Sequence, residues 1–140
     1  MRIEKYPFVT YSTERHSDII LARFQNNLKI DLAVAVELID NRFDFAGDKK
    51  HYVIIDVSNV REITPKGKEY MQRPDTGLKN ILGAAFVAPN PVSVLFAKIF
   101  IKTQKNFQAK FFTNEEDAFV WIIEHMQKVN KQNFKTDRIE

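Results

Sequence analysis

The chain predicts a single αβ domain with five strands and about four helices in the order β-β-α-β-α-β-α-β-α. Three observations predict it. Two short apolar runs, Tyr52 to Val57 and Ile81 to Ala88, have the near-continuous hydrophobicity of strands covered on both faces. Segments with helical spacing separate them, three of these opening on a capping residue. At 140 residues, 44% of them apolar, the chain is long enough to bury roughly 68–70% of its unfolded surface without a disulfide or a metal.

The elements follow in order. Phe8 to Ser12 and Ile19 to Phe24 are rich in β-branched and aromatic residues and flank the polar Thr13 to Asp18, the pattern of an antiparallel pair. From Asp31, a candidate N-cap, Leu32, Val36, Ile39 and Phe43 recur at spacings of three and four. Glu37, Asp40 and Arg42 take the other side of this helix, which ends near Gly47. Tyr52 to Val57 is the expected central strand. Thr64-Pro65 supplies a cap and a first-turn proline for a helix from Pro65 to about Arg73. Ile81 to Ala88 is the next strand, with Gly83 marking a close approach. Asn90-Pro91 opens a helix from Pro91 to about Thr103, Phe107 to Phe112 forms the last strand, and Thr113 with Glu116 reads as the capping box of the final helix. The domain spans residues 1–130, and 131–140 is a polar tail expected to fray.

Composition narrows the function. With no cysteine, thiol chemistry and cysteine–zinc sites are excluded. The 21 basic and 18 acidic residues leave a net charge of +3, short of the basic stripe of a dedicated nucleic-acid binder. Lys98, Lys102 and Lys105 recur at spacings of four and three and could form a basic stripe for phosphate or anionic lipid, although a solvated helix face is the commoner reading. Met1 to Thr10 lacks the apolar core of a secretory signal, and the longest apolar run, Val92 to Ile101, is far short of the roughly 20 residues of a membrane span. A soluble, cytoplasmic protein is expected.

His16, His51 and His125 lack metal-ligand spacing, and Ser12, Ser17, Ser58 and Ser93 sit in no nucleophile motif. Asp56 ends the central strand, where α/β folds present ligand-facing groups, although its carboxylate can equally close the Ser58-Asn59 turn. Asp56, Ser58 and Thr64 are the first groups an enzyme reading would need. The helix from Pro91 is apolar nearly all round, so Phe96, Ile99 and Phe100 become candidate contact residues for a partner or a second copy. The same helix suits an apolar ligand.

Three motifs carry a family resemblance. They are Val53-Ile54-Ile55-Asp56-Val57-Ser58-Asn59-Val60 with the following Ile63-Thr64, Gly83-Ala84-Ala85-Phe86-Val87-Ala88, and Lys110 through Ile122 with its acidic cap and Ala118-Phe119-Val120-Trp121. Over about residues 17 to 127 the sequence resembles STAS-like domains related to the bacterial sporulation anti-sigma-factor antagonist, and more closely an uncharacterised bacterial family described as STAS-like or CRAL-TRIO-like. The resemblance implies a mixed sheet flanked by helices, no cofactor and a role in protein contact; no enzymatic activity is expected, because the sequence shows no assembled catalytic constellation. In the antagonists an Asp-Ser-Ser-Gly motif opens the helix after the central strand and is phosphorylated by a partner kinase. Here it falls on Thr64-Pro65-Lys66-Gly67, and the phosphoserine position is Pro65, which has no hydroxyl. The expectation is therefore an interaction module without the usual switch. Its contacts are Arg61, Thr64, Pro65 and Lys66 together with Phe96, Ile99 and Phe100, and the alternative is a carrier or sensor of a lipid-like ligand.

Overall fold

The computed structural model describes residues 1–91, 93, 94, 97, 98 and 108–139, the last nine of these by their backbone. The strands are β1 (Ile3–Lys5), β2 (Val9–His16), β3 (Ile19–Phe24), β4 (Leu28–Ile30), β5 (His51–Asp56), β6 (Val60–Ile63), β7 (Ile81–Val87) and β8 (Gln108–Phe112). The helices are α1 (Leu32–Ala46), α2 (Pro65–Met71) and α3 (Glu115–Ile139).

Six strands form one mixed sheet in the order β1-β2-β3-β5-β7-β8. The first three are antiparallel, while β3, β5, β7 and β8 run parallel. β5 lies inside the sheet as its sequence requires: Val53 faces one cluster and Ile54 the other, at 2% and 0% exposure. On one face Ile20, Ala22, Val53, Ala84 and Phe86 pack with Ala35, Leu38 and Phe45 of α1 and with Tyr70 and Met71 of α2. On the other, Ile19, Leu21, Tyr52, Ile54 and Ala85 pack with Ala118 and Ile122 of α3. Gly83 is a close approach, since a Cβ there would stand 3.1 Å from the Tyr52 ring.

Several expectations change. Among the described residues the main sheet has six strands instead of five, because Ile3–Lys5 adds an edge, and a separate two-stranded parallel sheet pairs β4 with β6. Three-residue β1 and β4 are too short for a sequence period to show. Three helices have defined bounds where about four were expected. The Pro91–Thr103 helix falls largely outside the described residues; within it Pro91, Ser93, Val94, Ala97 and Lys98 are helical, and Ser93 and Asn90 cap each other. The final helix starts one residue later than Thr113 implied. Asn114 is its cap, accepting from the Asp117 amide at 2.8 Å. Glu115 and Glu116 are thereby free to pair with Arg23 and Arg15 on the sheet, at 3.0 and 2.6 Å. Its backbone is helical through 131–139.

The α1 face also moves. Ala35, Leu38, Ile39, Arg42 and Phe45 are its buried side, so Arg42 lies in the interior at 4% exposure while Leu32 is 43% exposed. Arg42 donates to the carbonyls of Thr76 and Lys79 at 3.2 and 3.0 Å. Burial holds its guanidinium down to about 10.

His51, 2% exposed at the start of β5, bonds the Lys49 carbonyl through Nδ1 at 2.9 Å. Burial pushes it down to about 4, against the pull of that carbonyl and with smaller help from the Arg42 and Lys49 charges. The unfolded chain then binds the proton first, since a free imidazole titrates near 6.5. Stability from neutral His51 should be complete above pH 6.5 and fall by roughly 3 kcal/mol as pH drops to 4. Urea melts across this window should show the loss in the wild type and a flatter dependence in His51→Asn; equal slopes would refute the assignment.

Candidate functional site

Two strand–cap–helix units stand side by side at one end of the domain. β4 ends in Ile30, Asp31 caps, and α1 begins with Leu32 and Ala33; β6 ends in Ile63, Thr64 caps, and α2 begins with Pro65 and Lys66. Ile30 and Ile63 are register partners, so the two caps fall level with each other. Asp31 Oδ1 accepts from the Val34 amide at 2.9 Å, and Thr64 Oγ1 from the Gly67 amide at 3.1 Å. These are the N-cap bonds that satisfy otherwise orphaned helix donors.

The units are locked together at Ile30. Its carbonyl accepts from the Thr64 amide at 2.9 Å, and a Cβ at position 67 would stand 2.5 Å from that same oxygen. Only glycine lets α2 come this close. Asp31, Leu32, Ala33, Thr64, Pro65 and Lys66 consequently line one shallow depression. Its floor is apolar.

Of the residues anticipated from sequence, Thr64, Pro65 and Lys66 come together here. Arg61 is exposed on β6 but does not line the depression. Phe96, Ile99 and Phe100 lie outside the described residues. Asp56 Oδ1 accepts from the Ser58 amide at 2.9 Å, the turn-closing role, and neither residue joins the depression. Asp56 and Thr64 each accept from a backbone amide of the turn or helix that follows them.

Leu32 and Ala33 were missed as surface residues because helical spacing placed Leu32 on the core side. The signal that finds them is the repeat of Ile-cap-x-x at Ile30-Asp31-Leu32-Ala33 and Ile63-Thr64-Pro65-Lys66.

Elsewhere, His125 stacks on Trp121 at 5.5 Å and meets Tyr52 edge-on, and His16 Nδ1 accepts from the Asp18 amide. Both have local structural roles. Among the described residues no group of three His, Asp or Glu side chains could hold a metal, and no helix is long and apolar enough to cross a membrane.

A family model, the Domain of unknown function (DUF7793), matches residues 13–126. The chain belongs to the DUF7793 family. The DUF7793 match runs from within β2 into α3 and includes both strand–cap–helix units. No curated protein matches the chain. A solved structure from Shewanella loihica PV-4, described as an uncharacterized protein from the DUF3478 family with a SpoIIAA-like fold, is similar over 86% of this chain and 90% of its own, with 13% identity and a TM-score of 0.49.

The lock at Ile30 makes a sharp prediction for this DUF7793 domain. Gly67→Ala should destabilise it by about 1–3 kcal/mol, the range for overpacking a tight site. Urea unfolding of the variant checks this, and unchanged stability would mean that α2 is free to move away from Ile30.

Proposed function

We propose that this DUF7793 domain is a STAS-like protein-interaction module that docks a protein partner on the depression between the starts of α1 and α2. One observation carries the reading. Leu32 is 43% exposed at the first position of a helix whose cap is fixed, beside Ala33 and Pro65. Held rigid by its caps, such an apolar floor loses little conformational freedom when a partner covers it. Lys66 adds an exposed cation at the rim.

The absence of a hydroxyl at Pro65 and Lys66 supports docking that is not switched by phosphate at those positions. Thr64 has a hydroxyl; phosphorylation there would remove the proton it donates to the Ile30 carbonyl at 3.5 Å while leaving an acceptor for the Gly67 amide. The helix from Pro91 is a second surface suggested by sequence, for a partner or a second copy; the reading does not rest on it.

A carrier of a lipid-like molecule is less well supported. The apolar cavity in the core, between β5, β7 and α2, measures about 50 Å³. An apolar cavity of roughly 150 Å³ takes benzene, so an acyl chain would not fit.

A photo-crosslinking residue at position 66, expressed in the native host, tests the docking surface. The expected result is an adduct of one defined mass that is absent from position 40, an exposed site on α1, and that falls at least tenfold with Leu32→Asp. An acidic residue in the first turn suits the helix, so that substitution changes the surface without unfolding the domain. No adduct at 66, or one indifferent to Leu32→Asp, would refute the proposal.

A further inference from the structure

A second cleft opens at the far end of α1 from the docking depression, where β1, the β2–β3 turn, the last turn of α1 and the start of β5 meet. It measures about 310 Å³, inside the range of roughly 300–1,000 Å³ common to small-molecule sites. Ile20, Phe45 and Ala46 give it apolar walls. Its polar lining is Arg2, Thr13, Ser17, Lys49 and His51, and no carboxylate is among the lining residues.

The backbone places each of these polar groups. The β1–β2 ladder sets Arg2 beside Thr13, with the Arg2 amide donating to Thr13 Oγ1 at 3.1 Å and the Thr13 amide to the Arg2 carbonyl at 2.9 Å. The Arg2 guanidinium lies 4.4 Å over the Phe45 ring and donates to the Phe45 carbonyl at 2.7 Å. That bond covers a carbonyl of the helix end that would otherwise repel an anion. Asp18, in the β2–β3 turn, holds Lys49 Nζ at 2.6 Å. His51, 2% exposed, bonds the Lys49 carbonyl through Nδ1 and so fixes the backbone that carries this lysine.

These contacts leave donors unused. A guanidinium has five N–H donors and an ammonium three. Arg2 commits one to Phe45 and stands 3.8 Å from Glu4, and Lys49 commits one to Asp18. Thr13 Oγ1 serves Arg2 as an acceptor and keeps its proton. Among the described residues the Ser17 hydroxyl has no hydrogen-bond partner, and the buried Nε2 of His51 has none. Two cations and two hydroxyls with donors to spare match a phosphomonoester, which offers three strong acceptor oxygens and about two negative charges at neutral pH.

We propose that this cleft binds a small phosphomonoester, its phosphate on Arg2, Lys49, Thr13 and Ser17 and its compact apolar body against Ile20, Phe45 and Ala46. An apolar cavity of roughly 150 Å³ takes benzene, so the cleft has room for one ring beside the phosphate. His51 is a positioning residue, acting through the Lys49 carbonyl. The site is separate from the docking depression and does not depend on a partner there.

Titration of the full chain with phenyl phosphate at neutral pH, followed in amide proton–nitrogen spectra, tests the site. Saturable shifts are expected at Thr13, Ser17, Lys49 and His51, with affinity in the millimolar range or tighter. Phenol, which keeps the ring and lacks the phosphate, should bind about tenfold more weakly or worse. Lys49→Gln should lose about tenfold or more in phenyl phosphate affinity, whereas Lys50→Gln, at an exposed neighbour outside the cleft, should leave it unchanged. Ser17→Trp, at an exposed turn position, blocks the cleft with both cations in place and should abolish the response. No saturable shift, equal binding of phenol, equal losses in the two lysine variants, or binding untouched by Ser17→Trp would overturn the proposal.

Discussion

The arrangement of this domain depends on the carbonyl of Ile30. It ends β4, receives the Thr64 amide at 2.9 Å, and sits where any side chain at position 67 would collide with it. One buried oxygen thus fixes α2 relative to α1. Because Asp31 follows Ile30 directly and Thr64 makes the bond, both caps are set by the same contact, and both helices begin at the same level. The exposed apolar floor of Leu32, Ala33 and Pro65 is a consequence of that alignment. Glycine at 67 is its steric condition.

How much of this was readable in the sequence depends on the scale of each signal. The continuous runs around Val53-Ile54 and Ala84-Ala85 announce strands buried on two faces, because both side-chain directions are apolar. The caps at Asp31 and Thr64 are equally plain, since each is a short polar side chain before a helical period. Finer features were not readable. The α1 period was visible, but its buried face was not, because Arg42 contributes an apolar stem and makes its polar contacts inside the domain. Leu32 is apolar yet lies outside. The capping box of the last helix slipped by one residue because Thr113-Glu116 and Asn114-Asp117 satisfy the same local rule, and only the long-range pairs from Arg15 and Arg23 favour the second. The depression needed the β4–β6 pairing, a contact across 33 residues that no local pattern contains.

Arg42 and His51 are the main polar groups of the buried interior, and they use it differently. His51 accommodates burial by staying neutral, a choice open to imidazole. Arg42 keeps its charge, since even a value of about 10 leaves it protonated at neutral pH, so its burial has to be compensated by whatever accepts its bonds. Two carbonyls from an irregular segment are weak acceptors for a full charge. The domain therefore combines a firmly fixed end, where the caps meet at Ile30, with a segment fastened polar group by polar group over a small apolar cavity.

The central claim is that the paired caps form a preformed, rigid platform and not a pair of independently fraying helix ends. Native-state hydrogen exchange of the Thr64, Gly67 and Val34 amides addresses it most directly, with Val53 and Ile54 on β5 as the reference for global unfolding. The account predicts that these cap amides exchange at rates close to that reference. Exchange at Thr64 and Gly67 orders of magnitude faster than at Val53 and Ile54 would contradict it, because the α2 end would then open while the sheet stayed folded.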